Sequence, residues 1–171
     1  MTGRRLELDD VTRIAAFAAE APRPLAVLEA VGALARDVLG ARGFTMFRYL
    51  HASAEVERIH SSDPVQYPLG GRKRIVDYPR NQAVLARGDV FIAPDREAVR
   101  ATYKDHEKIF GLGTTSIMNV PVRFAGTNIG ALNLFGTEHQ FDAAKVHDAR
   151  VLAALMVAPI LAMLEADGAP R

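Results

Sequence analysis

The sequence predicts a single α+β domain of two layers, in which helices pack on a mainly antiparallel sheet. The chain has 171 residues, a length that fits one domain. Apolar residues recur at helical spacing near both ends, whereas two central segments have the composition and turns of hairpins. About fifty residues separate the hairpins. We therefore expect the terminal helices on one face of the sheet and a helical crossover over the other.

The N-terminal half changes from a helical to a strand pattern at the glycines 40 and 43. A first helix is predicted from about Asp9 to Glu20. A second starts at Leu25 and stops at Gly40, because glycine suits the left-handed position that ends a helix. The short segments Phe44–Leu50 and Glu55–Ser62 then predict an antiparallel pair.

The segment between the hairpins predicts four elements that form the crossover. These are a loop (63–74), a helix (77–87), a short strand (90–93) and a helix (96–110). Because the terminal helices need one face of the sheet, this segment is expected to lie over the other face.

The second hairpin is the clearest feature of the sequence. Thr115–Val122 and Thr127–Phe135 flank a turn at Ala125 and Gly126. If Asn119 pairs with Asn133, the residues divide into two faces. The apolar face that suits packing on helices holds Met118, Val120, Val122, Leu132 and Leu134. The mixed face holds Ile117, Asn119, Pro121, Ala131, Asn133 and Phe135.

The last helix has a clear start and an apolar body. Asp142 suits the N-cap, and Phe141 with Val146 suits a hydrophobic staple. The run Val151–Leu164 is shorter than the ~20 residues that span a bilayer, so it predicts a buried helix. Pro159 is expected to kink this helix.

Composition excludes several classes of function. Lysine and arginine total 21 against 20 acidic residues, and the net charge of +1 favours neither nucleic acid nor an anionic membrane as a partner. Cysteine is absent, which excludes disulfides, thiolate nucleophiles and thiolate metal ligands. The first residues have no apolar signal region. We therefore expect a cytoplasmic protein.

Three segments carry a resemblance to a known family. SIMNVPVRFAGTNIGALNLFG (116–136) resembles the fourth and fifth strands of GAF domains, and FDAAKVHDARVLAAL (141–155) matches their closing helix. VERIHSSDPVQYPLGGRK (56–73) is similar to stand-alone bacterial GAF proteins. The resemblance runs from about Leu25 to Leu164. Residues 25–166 are thus expected to form the GAF domain, with residues 1–24 as an N-terminal helix and cap of the same domain.

The resemblance implies a profilin-like fold with about six antiparallel strands and a ligand cavity between the sheet and the crossover. It also implies a homodimer formed through the terminal helices. GAF domains sense cyclic nucleotides, bind bilins, sense haem or metals, or reduce free methionine sulfoxide. Bilin attachment and the reductase chemistry use cysteine, which this chain lacks. The Asn-Lys-x-x-x-Phe-x-x-x-Asp-Glu pattern of cyclic-nucleotide GAF domains has no match, so the sequence selects no cofactor.

Three polar residues of the central strands are the first candidates for binding a ligand. Asn119 and Asn133 offer two amides on the mixed face, or alternatively bond loop backbone and hold the crossover in place. Arg48 faces the cavity if its neighbours in the strand pack on helices, and would then clamp a carboxylate. The alternative for Arg48 is a surface ion pair.

Further candidates lie in the crossover. Tyr67 begins the loop YPLGGRKR, whose glycines and cations suit an anion or, alternatively, a solvated turn. Tyr103 and His106 lie on a helix that borders the expected cavity, although KDHEK also suits a solvated helix face. The histidines show no metal-binding spacing and no nucleophile–base pair is evident, so we predict no metal site and no catalytic residue.

These observations favour a non-catalytic module that binds or senses a small polar or anionic molecule and acts in signal transduction. The alternative is a dimerisation or partner-docking module with no ligand. An enzyme that works without cysteine is the third hypothesis.

Overall fold

The computed structural model describes residues 3–77, 84 and 87–168. Its helices are α1 (Leu8–Glu20), α2 (Pro24–Leu39), α3 (Arg96–Thr102), α4 (His106–Gly111), α5 (Ala143–Leu155) and α6 (Val157–Ala166). Its strands are β1 (Gly43–Leu50), β2 (Glu55–Ser61), β3 (Arg72–Arg74), β4 (Phe91–Ala93), β5 (Ser116–Phe124) and β6 (Thr127–Gly136).

The six strands form one sheet in the order β3-β2-β1-β6-β5-β4, and each neighbouring pair is antiparallel. The predicted α+β class with about six antiparallel strands is confirmed. Strand β6 lies between β1 and β5, so the second hairpin and the first hairpin share one continuous sheet. The long segment between them returns the chain to the far edge, where β4 pairs with β5.

The hairpin of β5 and β6 has the predicted register. Asn119 lies opposite Asn133, and the turn residues Ala125 and Gly126 both have positive φ, 47° and 78°. This conformation matches the right-handed twist of the paired strands. The predicted apolar face packs on the helices α2, α5 and α6, with Met118, Leu132 and Leu134 completely buried. Each such side chain stabilises the fold by roughly 1.5–3 kcal/mol.

The crossover differs from the prediction in two places. The loop after β2 contains the short edge strand β3 (Arg72–Arg74). The sequence did not predict this strand, because its three residues are all cations and show no alternation of apolar and polar side chains. The predicted helix 96–110 is two helices, because the chain leaves the helical conformation at Tyr103, which is extended with φ −111° and ψ 118°. The predicted helix 77–87 falls mostly outside the described residues.

The last helix is interrupted as a consequence of Pro159. Proline has no N–H and its ring conflicts with the carbonyl four residues earlier. The break lies at Met156, whose N–H bonds to the carbonyl of Ala153, three residues back. Asp142 is the N-cap and accepts from the N–H of Lys145 at 3.1 Å.

Together α5 and α6 cover residues 143–166, and by length and composition alone that stretch is apolar enough to cross a membrane. This is weak evidence for a span, because core helices of globular domains share that composition. Leu152, Met156 and Ile160 are fully buried in the core between helices and sheet. Packing within the domain accounts for these positions, and 39% of the 18-residue apolar segment in this stretch is buried.

A buried carboxylate fixes the N-terminal helix. Asp10, at the start of α1, is 4% exposed and receives hydrogen bonds from Arg4, from Arg13 and from the N–H of Glu7. Arg4 also donates to Asp37 of α2 at 2.8 Å. The hydrogen bond from Arg4 and the backbone bond from Glu7 lower the pKa of Asp10 far below its ordinary value. The ionised carboxylate therefore ties α1 to α2.

Replacement of Asp10 by asparagine is expected to lower stability in a way that depends on pH. Because the pKa of Asp10 is lowered on folding, its contribution is complete above its unfolded value of about 3.9 and is lost as pH falls towards the folded value. The difference in Tm between the native protein and Asp10→Asn should therefore be largest near pH 6 and shrink below pH 4. Thermal unfolding from pH 6 to pH 2.5 measures it, and a difference independent of pH would contradict the assignment.

Candidate functional site

A cavity of about 70 Å³ lies between the mixed face of the sheet and the crossover. One water needs roughly 10–15 Å³ of such space, so the cavity has room for about five to seven water-sized atoms. Its apolar lining is given by seven side chains: Phe47, Val56, Val84, Ile109, Ile117, Ala131 and Phe135. Polar groups from β1, β2, β5, β6 and the crossover interrupt this lining. The cavity is therefore small, enclosed on several sides and of mixed polarity.

A chain of hydrogen bonds crosses the cavity wall. The Tyr103 hydroxyl donates to Oδ1 of Asn119 at 2.8 Å, and Nδ2 of Asn119 donates to Oδ1 of Asn133 at 2.6 Å. Nδ2 of Asn133 then donates to the Thr45 hydroxyl at 3.3 Å. The antiparallel register places Asn133 between Asn119 of β5 and Thr45 of β1. This chain of hydrogen bonds thus joins the crossover to the three strands β5, β6 and β1.

The two amides keep capacity for a ligand beyond these bonds. An asparagine side chain has two N–H groups and an oxygen with two lone pairs. In this series of hydrogen bonds each amide donates one N–H, and each amide oxygen accepts one hydrogen bond. Within the described part of the protein, one N–H and one lone pair of each amide are left for a molecule in the cavity. Because neighbouring residues hold both amides, these groups are oriented before a ligand arrives.

Arg58 of β2 is a cationic group of the cavity wall that the sequence did not predict. Its side chain lines the cavity and the residue is 9% exposed. The guanidinium carbon lies 5.1 Å from the ring centre of Phe47 and 5.5 Å from that of Tyr67, and Nη1 donates to the carbonyl of Pro68 at 2.8 Å. Desolvation lowers the pKa of Arg58.

Among the described residues Arg58 has no carboxylate at ion-pair distance, and its buried Nε has no hydrogen-bond partner. A buried charge of this kind is costly unless something pairs with it. A β-bulge sets its direction: Phe47 lies opposite Arg58 and Met46 opposite His60, which leaves Ile59 as the extra residue. Since opposed residues share a face, Arg58 lies on the cavity side with Phe47.

The predicted cavity position of Arg48 is wrong. Arg48 lies on the helix-covered face, where it donates two hydrogen bonds to Glu57, pairs with Asp167 and reaches the carbonyl of Met163. Burial alone would lower the pKa of Arg48, but the hydrogen bonds to the two carboxylates raise it above its ordinary value. The prediction assumed that the aromatic side chains of β1 pack on helices; Phe47 instead lines the cavity.

The predicted tyrosines lie at the cavity, whereas His106 does not. Tyr67 and Tyr103 both line it. Nδ1 of His106 donates to the carbonyl of Tyr103 at 3.0 Å, and Nε2 of His106 lies 3.3 Å from the carboxylate of Glu107. The prediction for His106 is wrong because the helix breaks after Thr102, which changes the face that each residue of KDHEK presents. Its neighbour Asp105 lines the cavity instead.

The glycine-rich loop serves mainly to pair with β2. The N–H of Gly70 bonds to the carbonyl of Arg58 at 2.9 Å, and the N–H of Arg58 bonds to the carbonyl of Gly71 at 3.0 Å. These bonds leave no open cluster of glycine N–H groups for an anion at this point. One cation of the loop, Lys73, lines the cavity. The sequence contains no clear signal for Arg58 or Lys73, because a bulge sets the direction of Arg58 and β3 consists of three cations.

An outer cleft adjoins the cavity. It has a volume of about 360 Å³ and shares the side chains of Tyr67 and Phe135 with the cavity. The rings of these two residues are 5.4 Å apart, and Arg36 and Arg42 lie on the other side of them. The aromatic pair therefore separates the cavity from the cleft. Within ranges 3–77 and 87–168, no group of three or more histidine, aspartate or glutamate side chains is arranged to hold a metal ion.

Removing the Tyr103 hydroxyl tests the hydrogen-bond chain. Tyr103→Phe leaves the Asn119 oxygen without its donor, and an unsatisfied buried acceptor costs about 1–3 kcal/mol. Urea unfolding should show a loss of this size in the free energy of unfolding. Tyr49→Phe, on the same face of the sheet, is the control and should change it by less than about 0.5 kcal/mol. If both substitutions lowered the free energy of unfolding equally, the chain of hydrogen bonds would not be a stabilising element.

Comparisons with known proteins agree with this architecture. A family model described as GAF domain matches residues 23–160. A search of curated proteins found no match. Among solved structures, the GAF domain of a phosphoenolpyruvate-protein phosphotransferase from Coxiella burnetii is 20% identical, with a TM-score of 0.76, and 95% of this chain and 96% of that chain are covered.

Two further solved structures are similar. The GAF domain of the corresponding phosphotransferase from Acinetobacter is 15% identical, with a TM-score of 0.72 and coverage of 94% and 96%. Free methionine-R-sulfoxide reductase from Neisseria meningitidis is 16% identical, with a TM-score of 0.70 and coverage of 97% and 99%. At these identities the likeness shows the fold. With the family match over most of its length, the chain belongs to the GAF domain family, which is known for binding small molecules or chromophores and for signalling.

Proposed function

We propose that this GAF domain is a sensory module that binds a small polar molecule between its sheet and its crossover. The observation that carries the proposal is the cavity wall in which Tyr103, Asn119, Asn133 and Thr45 form one hydrogen-bonded chain. Polar groups placed among apolar side chains are typical of sites that orient a small ligand. We assign no catalytic residue, and neither nucleic acid nor a membrane is a partner in this proposal.

The proposed signal passes from the cavity through β6 to the last helix. Asn133 lies in β6, and the same strand carries Gly130 three residues earlier. A Cβ on Gly130 would lie 2.3 Å from the carbonyl oxygen of Phe47 and 2.9 Å from the side chain of Ile160, so strand and helix α6 are in close contact there. A ligand that favours one position of β6 therefore favours one position of α6.

The proposal extends to assembly and location. The terminal helices α1, α5 and α6 would carry the signal across a homodimer, and exposed Leu8 and Phe17 of α1 offer apolar surface for such an interface. A cytoplasmic location is supported by the lack of cysteine, since disulfides are rare in that compartment.

Filling the cavity tests ligand binding. In a thermal-shift screen of small metabolites, a ligand at 100 times its Kd should stabilise the native protein by about 2.7 kcal/mol. Ala131→Met places a larger side chain in the cavity and should abolish this shift while the domain stays folded. Ala154→Met, at an exposed position of α5, is the control and should respond as the native protein does.

Two results would count against the sensory function. One is a screen in which no metabolite raises Tm. The other is a ligand that stabilises Ala131→Met as much as the native protein, because that ligand would bind elsewhere.

A dimerisation module without a ligand is the second candidate, and the exposed Phe17 of α1 favours it. Phe17→Glu should convert a dimer to a monomer, as measured by size-exclusion chromatography with light scattering, because a charge in an apolar interface has no partner. Val65→Glu, at a position of the loop after β2 that is 83% exposed, is the control. A native protein that is monomeric at high concentration would exclude this candidate.

A further inference from the structure

We infer that the molecule bound in the cavity carries a carboxylate, and that Arg58 binds it. This inference rests on the proposed function and deepens it. Arg58 lines the cavity, is 9% exposed, and has a buried Nε with no hydrogen-bond partner in the described ranges. A charge in such a position favours a nearby anion. Within the described residues no carboxylate lies at ion-pair distance, and the more distant Asp105 supplies only a weaker attraction.

The guanidinium is held so that one edge is left for a ligand. Nη1 is occupied by the carbonyl of Pro68 at 2.8 Å. The guanidinium carbon lies over the rings of Phe47 and Tyr67, 5.1 Å and 5.5 Å from their centres. Nη2 is the group that a carboxylate oxygen can reach directly. Because Nε is fully buried in this conformation, a two-point contact through Nε and Nη2 requires a small shift of the Arg58 side chain.

The charges around the cavity also favour an anion. Two cations, Arg58 and Lys73, line it against the single carboxylate of Asp105, counted over the described lining. A third cation, Lys108, lies 5.0 Å from the ring centre of Tyr67, which is itself part of the wall. The described lining therefore carries one more cation than carboxylates, and the surrounding apolar side chains weaken the screening of these charges by water.

The remaining lining favours an organic acid over an inorganic anion. Val56, Ile117 and Ala131 offer apolar contact that phosphate or nitrate cannot use. The amides of Asn119 and Asn133 offer hydrogen bonds to a second polar group. With room for about five to seven heavy atoms, the ligand is a short-chain hydroxy- or oxo-carboxylic acid.

Paired acids and amides test this inference with the intact protein. Glycolate, lactate and pyruvate are compared with their neutral amides and with nitrate and phosphate, all at one ionic strength set with chloride. We expect at least one acid to raise Tm, whereas the matching amide and the inorganic anions have little effect. Arg58→Met should weaken binding of that acid by about 10- to 100-fold in calorimetry, the loss of one charge-assisted contact.

Two more variants complete the test. Arg58→Lys keeps the charge but loses the planar fork, so its affinity should lie between those of the native protein and Arg58→Met. Arg74→Met removes a cation from an exposed position of β3 and should bind as the native protein does. If Arg58→Met does not fold, the acid and amide pair on the native protein and the lysine variant still decide the question.

Several results would overturn the inference. These are equal binding of acid and amide, equal stabilisation by nitrate or phosphate, unchanged affinity in Arg58→Met, or no effect of any short acid. A neutral metabolite that stabilises the native protein but not Ala131→Met would overturn the carboxylate inference alone and leave the sensory function in place. Only the failure of every metabolite would remove both.

Discussion

The register between β5 and β6 is the constraint on which the site depends. Because side chains alternate along a strand, a slip of one residue would move Asn119 and Asn133 into the helix-packed core and expose apolar residues to the cavity. The tight turn at Ala125 and Gly126 prevents such a slip, since its backbone conformation fixes how the strands pair. The pairing of β5 with β6 therefore determines both the chain of hydrogen bonds in the cavity and the apolar core under the helices.

The two arginines Arg48 and Arg58 show why burial and pairing must be considered together. Arg48 lies against two carboxylates, and these raise its pKa despite burial. The guanidinium of Arg58 is buried among aromatic rings and, within the described residues, donates to the carbonyl of Pro68, and desolvation lowers the pKa of Arg58. The first arrangement is complete within the chain and is structural. The second would be completed by the carboxylate ligand that we propose.

The sequence predicted the fold well wherever one short segment contains the whole signal. The hairpin register, the N-cap Asp142 and the helix stop at Gly40 all follow from local residues and are found. The site was predicted in part: Asn119, Asn133, Tyr67 and Tyr103 line the cavity, whereas Arg58 was missed. Its position depends on a bulge at Ile59 and on a loop that returns from eight or more residues away, and neither leaves a periodic pattern.

The unpaired state of Arg58 also explains how a small ligand could alter a whole domain. Without a bound anion, the buried guanidinium of Arg58 destabilises the domain, because Asp105 and the aromatic rings offset only part of the cost of desolvating its charge. A bound anion would pair with the charge of Arg58 and lower the cost of burying it. The same ligand would link the loop after β2 to the amides of β5 and β6. Strand β6 contacts Ile160 of α6 at Gly130, so a ligand that stabilises β6 also stabilises the position of α6. Binding would then stabilise sheet, crossover and terminal helix as one unit, which is the coupling that a sensory domain requires.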